Sequence, residues 1–207
     1  MDLRTLIAEG EHQRQDFKYT ISSVSKIAHS LSAFANTQGG RLLVGVRDDG
    51  RIAGVRSEEE IYMIDAAAQC YCVPPVECLM QTVRCQGHVV LICTIEPDAQ
   101  VPVMAKEEDG TLRAYVRVAD ENIMASPVHL ELWRCQRSQR ETLLSEDDCK
   151  WLALFSEEGA MNLNRFCRRI RKSRHYSIRL LAQFVRFGLL RMFLHDHQWY
   201  FDLDNKE

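Results

Sequence analysis

A chain of 207 residues, 46% hydrophobic and 27% charged, has enough apolar material for one large or two small packed domains and does not read as disordered. Its net charge of -3 argues against a uniformly basic nucleic-acid binder. No apolar run reaches the roughly 18 residues of a membrane span, and the first residues, MDLRTLIAEGEH, show no basic segment leading into an apolar one, so a cytoplasmic chain is expected.

Residues 2–9 read as a short amphipathic helix with Leu3, Leu6 and Ile7 on one side. Gln15–Lys18 reads as a strand whose period of two puts Asp16 and Lys18 on one face and Phe17 on the other. The plain reading is an edge strand with Phe17 in the core. The sharper one is half of a phosphodiesterase site, with a carboxylate holding a divalent cation and Lys18 stabilising developing negative charge.

Ser22 or Ser23 can cap a helix that runs to Asn36, with Ile27, Leu31 and Phe34 at helical spacing. Asn36 and Gly39 stand where a left-handed exit is expected. Next comes a hairpin. One strand covers 41–46, the chain turns at Asp48-Asp49-Gly50, and it returns through 51–55. Leu42, Leu43, Val44 and Val46 form the nearly continuous apolar run of a central strand covered on both faces. Ser57 and Glu60 have the spacing of a capping box for the next helix.

Residues 77–85 and 88–96 alternate as two strands joined at Gln86-Gly87. Residues 111–118 form another, placing Arg113, Tyr115 and Arg117 on one face. Ser126-Pro127 opens a helix to 137, and the polar stretch 136–142 marks a domain boundary. Beyond it, helices near 145–155, 163–171 and 177–187 precede a hairpin around His195-Asp196-His197. Three short helices and a two-stranded hairpin make the winged form of the helix-turn-helix.

Charge divides unevenly along the chain. Residues 1–144 carry 15 Lys/Arg against 20 Asp/Glu, and residues 145–207 carry 11 against 9. Between Gly159 and His195 stand nine cations and no Asp or Glu. Arg165, Arg168, Arg169, Arg171, Lys172, Arg174 and Arg179, with Tyr176 among them, are the candidates for nucleic-acid contact, joined by Arg113 and Arg117 from the earlier strand. Eight cysteines include no C-x-x-C pair and read as buried thiols of a reducing compartment. No P-loop, nucleophile elbow or H-E-x-x-H motif occurs.

Several short motifs occur in a recognisable order. They are Glu11…Asp16-Phe17-Lys18, then Ala33-Phe34-Ala35-Asn36-Thr37-x-Gly39-Gly40, then Leu43-x-Gly45-Val46-x-Asp48-Asp49-Gly50-x-x-x-Gly54-Val55, with Tyr115-Val116-Arg117-Val118 later. Over residues 1–125 this pattern resembles the Schlafen AlbA-like domain family. The resemblance implies an α/β (α+β) fold, a mixed sheet with flanking helices. In bacteria a winged helix commonly follows, in proteins described as DNA-binding transcriptional regulators. It also implies, from animal relatives that cut transfer RNA, a three-carboxylate site at Glu11, Asp16 and Asp48 or Asp49. There Lys18 would assist and Mg or Mn would be the metal. Asp16 stands where that segment carries a longer Glu, and Arg47 where an acid is common. ATP is not expected, because the phosphate loop is missing.

The chain is accordingly expected to hold an AlbA-like domain (1–125), a connecting helix (126–144) and a winged helix (145–207). The leading function is nucleic-acid binding, DNA before RNA, in a regulator-like protein that can form a homodimer. The alternatives are a divalent-metal-dependent endoribonuclease using Glu11, Asp16 and Asp48, and a protein-interaction module.

Overall fold

The computed structural model describes residues 2–55, 57–98, 102–137 and 144–204. The chain divides into two units, Met1–Ala125 and Ser126–Glu207.

The first unit is built on two four-stranded sheets. Helix α1 (Leu3–Glu9) is capped by Asp2, whose side chain accepts from the Arg4 amide. Strand β1 (Gln15–Lys18) follows. Helix α2 (Val24–Ala35) has Ser23 as its N-cap and leads to β2 (Gly40–Val44). Gly39 takes the left-handed exit at φ 67, while Asn36 stays right-handed at φ -82. Asn36 acts through its side chain instead. Its amide donates to the Val103 and Tyr115 carbonyls at 2.8 and 2.9 Å, and its carbonyl accepts from the Val103 amide at 2.7 Å.

Helix α3 (Glu59–Ala66) and a π-helical turn (Ala67–Tyr71) come next. Ser57 and Glu60 do not form the expected capping box. The first residue before the helix is Glu58, without a side-chain cap, and the buried Glu60 accepts from Thr20 Oγ1 at 3.1 Å. The strands that follow are β3 (Cys72–Val73), β4 (Cys78–Cys85), β5 (His88–Ile95), β6 (Met104–Lys106), β7 (Leu112–Val118) and β8 (Glu121–Met124).

One sheet has the order β1-β2-β5-β4, the other β3-β6-β7-β8. β1 and β2 are parallel and the other pairs antiparallel, so the fold is α+β as expected. Leu42 and Val44 enter the larger core, with Ile27, Leu31 and Phe34 of α2 and with Ala105 and Tyr115 of the second sheet. Leu43 points the other way, into a smaller core with Leu3, Leu6 and Phe17. Alternation along β2 thus serves both faces, as a covered central strand requires.

The expected hairpin over 41–55 is much reduced. Both edges of β2 are taken by β1 and β5, and the returning segment makes one bridge, Val46 to Ile52. The loop closes instead at glycines. Gly45, at φ 93, accepts from the amides of Ala53 and Gly54, and a Cβ on it would meet the Gly54 carbonyl carbon at 2.7 Å.

The second unit contains α4 (Pro127–Arg137), α5 (Glu146–Glu158), β9 (Met161–Asn162), α6 (Leu163–Ile170), α7 (Arg174–Arg186), β10 (Leu190–His195) and β11 (Gln198–Leu203). Its three strands have the order β10-β11-β9. Ser145 and Asp148 form a complete capping box on α5. α6 ends at Arg171 in the left-handed region, φ 52, and Ser173 caps α7. Phe155, Phe166, Leu181, Phe184 and Phe201 fill the core. Val128 of α4 is buried in it and Leu132 packs against it, so the helix expected as a connector is part of this unit. The polar boundary expected at 136–142 lies, from residue 138 onward, outside the described residues.

Candidate functional site

Asp16 is the centre of the charged network in the first unit. It sits on β1 beside Phe17, whose burial in the smaller core turns the Asp16 side chain to the opposite face. There it is only 3% exposed. A buried carboxylate needs compensating charge and donors, and Asp16 has both. Lys18 Nζ lies 2.7 Å from Oδ2, Arg117 Nη2 lies 3.4 Å from Oδ1, and Ser30 Oγ donates to Oδ2 at 3.3 Å. Asn122 Nδ2 donates to Ser30 Oγ at 2.9 Å, and Asn122 Oδ1 accepts from Arg117 Nη1 at 2.9 Å, closing the network.

Glu11 reaches this network from the loop before β1. Its Oε1 accepts from the Phe17 amide at 2.8 Å, and a side-chain hydrogen bond joins it to Asp16. Burial, then the hydrogen bond to Asp16, holds the Glu11 carboxyl above the ordinary glutamate value. A carboxyl whose hold on its proton is raised in this way is better suited to general acid–base work than an ordinary glutamate.

Glu11, Asp16 and Lys18 are therefore brought together, and Asp48 is not part of this constellation. Asp48 is exposed in its turn, next to Asp49, which accepts from the Arg51 amide. Among the described residues no group of three or more His, Cys, Asp or Glu is placed to hold a metal ion. The carboxylate oxygens of Asp16 are occupied by Lys18, Arg117 and Ser30. The expected three-carboxylate metal set of Glu11, Asp16 and Asp48 does not fit this geometry.

Arg117 also departs from expectation. It was assigned to phosphate contact on an open strand face, but its side chain is 1% exposed and is committed to Asp16, Asn122 and the Gln15 carbonyl. Of the two strand arginines Arg113 is the exposed one, its Nη1 near Met124 Sδ at 3.9 Å. Ser30 and Asn122 gave no sequence signal as site residues. A serine inside a helix and an asparagine on a four-residue strand acquire meaning only when packing brings them to Asp16.

In the second unit the basic residues line α6 and α7, and Arg165, Arg168, Arg169, Arg171, Lys172, Arg174 and Arg179 are exposed. Three are engaged. Arg165 and Arg169 both pair with Glu158, and Arg174 donates to Asn164 Oδ1 at 2.7 Å. Tyr176 donates to Asp148 Oδ1 at 2.6 Å, and that bond with burial pushes its phenol up to about 12. It anchors α7 to α5 rather than presenting a ring to solvent. Arg168, Arg171, Lys172 and Arg179 form no ion pair among the described residues.

The family model for Schlafen, AlbA_2 matches residues 11–126, more than half of the chain. The chain belongs to the Schlafen AlbA_2 family. The match takes in Glu11, Asp16, Lys18, Ser30, Arg117 and Asn122, so the whole charged network lies in the AlbA_2 region. Solved structures similar to this chain include the following two. The DIP2311 protein from Corynebacterium diphtheriae is 21% identical over 70% of this chain and 30% of its own, with a TM-score of 0.43. The N-terminal domain of a RecG-related protein from Nitrosomonas europaea is 19% identical over 70% of this chain and 96% of its own, with a TM-score of 0.45. The chain thus spans under a third of DIP2311. No curated protein matches. Among the described residues no helix is long and apolar enough to cross a membrane.

Proposed function

We propose that this AlbA_2 protein binds nucleic acid, duplex DNA before RNA, through a winged helix formed by its second unit, in a regulator-like role. The observation that carries the reading is the exposed set Arg168, Arg171, Lys172 and Arg179 on α6, α7 and the turn between them, none of which forms an ion pair among the described residues. The order α5–β9–α6–α7–β10–β11, with the closing hairpin next to β9, supports it. Cations on the second and third helices of such a unit are where phosphate contacts are needed.

The test is a filter-binding titration on duplex DNA at two salt concentrations. Affinity should fall steeply with salt, because each neutralised phosphate releases counterions. Replacing Arg168 and Lys172 with Ala should lower the log–log salt slope by about one per lost phosphate contact. Binding that ignores salt, or no binding, sinks the reading.

A second reading is favoured by the convergence of Glu11, Asp16 and Lys18. The Glu11 carboxyl, held above its ordinary value by burial and set beside Asp16 and Lys18, has the parts for general acid–base cleavage of a phosphodiester. Incubating transfer RNA with the protein, with and without a chelator and beside Glu11→Gln, tests it. Cleavage that persists in Glu11→Gln removes these residues from the reaction.

A further inference from the structure

Strand β4 is a terminal strand in the order β1-β2-β5-β4, and among the described residues no strand pairs with its outer edge. At eight residues it is the longest terminal strand in the molecule; β1 and β8 have four, β3 and β9 two and β10 six. It pairs with β5 at all eight positions without a bulge. An edge of this length presents a row of backbone donors and acceptors ready for another strand. Proteins usually blunt such an edge with proline, a bulge, repeated charge or a covering segment. The sequence CLMQTVRC has no proline and one charge, Arg84. Leu79 is 62% exposed, and Gln81, Thr82 and Arg84 are exposed as well.

We propose that β4 is the site at which two copies of this chain associate, by antiparallel pairing of β4 with itself about a two-fold axis. The choice of a second copy follows from symmetry. A two-fold axis normal to the sheet brings the same edge against itself and makes one continuous eight-stranded sheet from two four-stranded ones. Side chains that face each other across the seam must lie on the same face, so opposed positions have equal parity. Nearly full overlap then centres on Gln81 or on Thr82. In the first register Arg84 lies opposite the partner's Cys78, in the second opposite the partner's Met80. In neither do two Arg84 side chains meet. A single charge placed off-centre therefore permits self-pairing, and a polar uncharged residue sits at the axis, where it can bond to its own copy. The proposal is independent of nucleic-acid binding.

Sedimentation velocity on the full chain, over a wide concentration range, reads the association directly. The mass should rise from 23.9 kDa toward twice that value. Combining Gln81→Lys with Thr82→Lys puts like charges across the axis and should weaken association by at least about tenfold. At concentrations where the chain is monomeric the thermal midpoint should not change, since both residues are exposed. Gln81→Cys and Thr82→Cys, tested separately, supply positive evidence. The one at the axis should form an interchain disulfide with its own copy, mapped by peptide mass, while the exposed control Glu108→Cys should not. A chain that stays monomeric throughout overturns the proposal. So does a dimer indifferent to both lysines, or the absence of an interchain disulfide at 81 and 82.

Discussion

In the first unit Arg117 turns inward to a buried acid; in the second the cations of α6 and α7 mostly face water. Arg117 has a side chain 1% exposed and closes on Asp16, Asn122 and backbone carbonyls. Arg168 and Lys172 lie exposed on or just after α6, with no ion pair among the described residues. One residue type therefore has two physical roles. A buried guanidinium neutralises a carboxylate that could not otherwise leave water, whereas an exposed one remains available to a phosphate. Composition does not distinguish these roles, and burial does.

The strongest way to break this comparison is to remove Arg117. Arg117→Ala leaves Asp16 buried with Lys18 as its one remaining cation and removes one of the two donors to the Gln15 carbonyl, the His12 amide being the other. Losing one partner of a buried ion pair costs about 3–5 kcal/mol. Urea unfolding of the variant should show that loss, and a loss below about 1 kcal/mol would place Arg117 among the surface arginines.

One residue from each unit should also respond to acid with opposite sign. His129 of α4 is buried, and burial pushes its imidazole down to about 4 from 6.5. The unfolded chain then binds the proton that the folded chain refuses. Stability from this residue is complete above pH 6.5 and is lost as pH falls toward 4, by roughly 3 kcal/mol. Glu11 runs the other way. Its folded value is raised, so the folded state holds the extra proton and this residue's stabilisation is lost as pH rises through the carboxylate range. Denaturation midpoints across pH for wild type, His129→Phe and Glu11→Gln read both slopes. His129→Phe should flatten the limb between pH 6.5 and 4, and Glu11→Gln should remove the opposing one.

A smaller effect is expected at Asn36, whose side chain ties the end of α2 to Val103 and Tyr115. Asn36→Ala leaves a buried amide and two carbonyls without that partner and should cost about 2 kcal/mol in the same unfolding assay. The smallest belongs to the exposed face. Arg168→Ala with Lys172→Ala should change stability by no more than about 0.5 kcal/mol, because no ion pair among the described residues is lost. A larger change would mean that these side chains serve the fold.

The elements with strong local signals could be read before any fold was known. Phe17 entered the core as its alternation required, the Ser145 capping box formed, and Gln86-Gly87 turned β4 into β5. Strands β3, β6 and β9 escape a reading from sequence because two or three residues carry no measurable period. Alternation on β7 correctly put Tyr115 and Arg117 on one face, but it could not say that the face was buried against α2 and β1. That depends on a parallel pairing and on Ser30 and Asp16, far away in sequence. The turn at Asp48-Asp49-Gly50 was legible as a turn. Its failure to become a hairpin was not, since a strand's own sequence does not say which neighbours already occupy its edges.

The position of α4 has a practical consequence for dissecting the molecule. Val128 and Leu132 precede the polar stretch and Leu144 follows it, yet all three pack on the same core. Cutting within that stretch, where composition suggests a linker, would leave a first fragment trailing an orphaned apolar helix and a second fragment with a hole where Val128 belongs. Separation between Ala125 and Ser126 keeps each hydrophobic set whole. Isolated halves prepared at the wrong junction would aggregate for reasons unrelated to the stability of either unit.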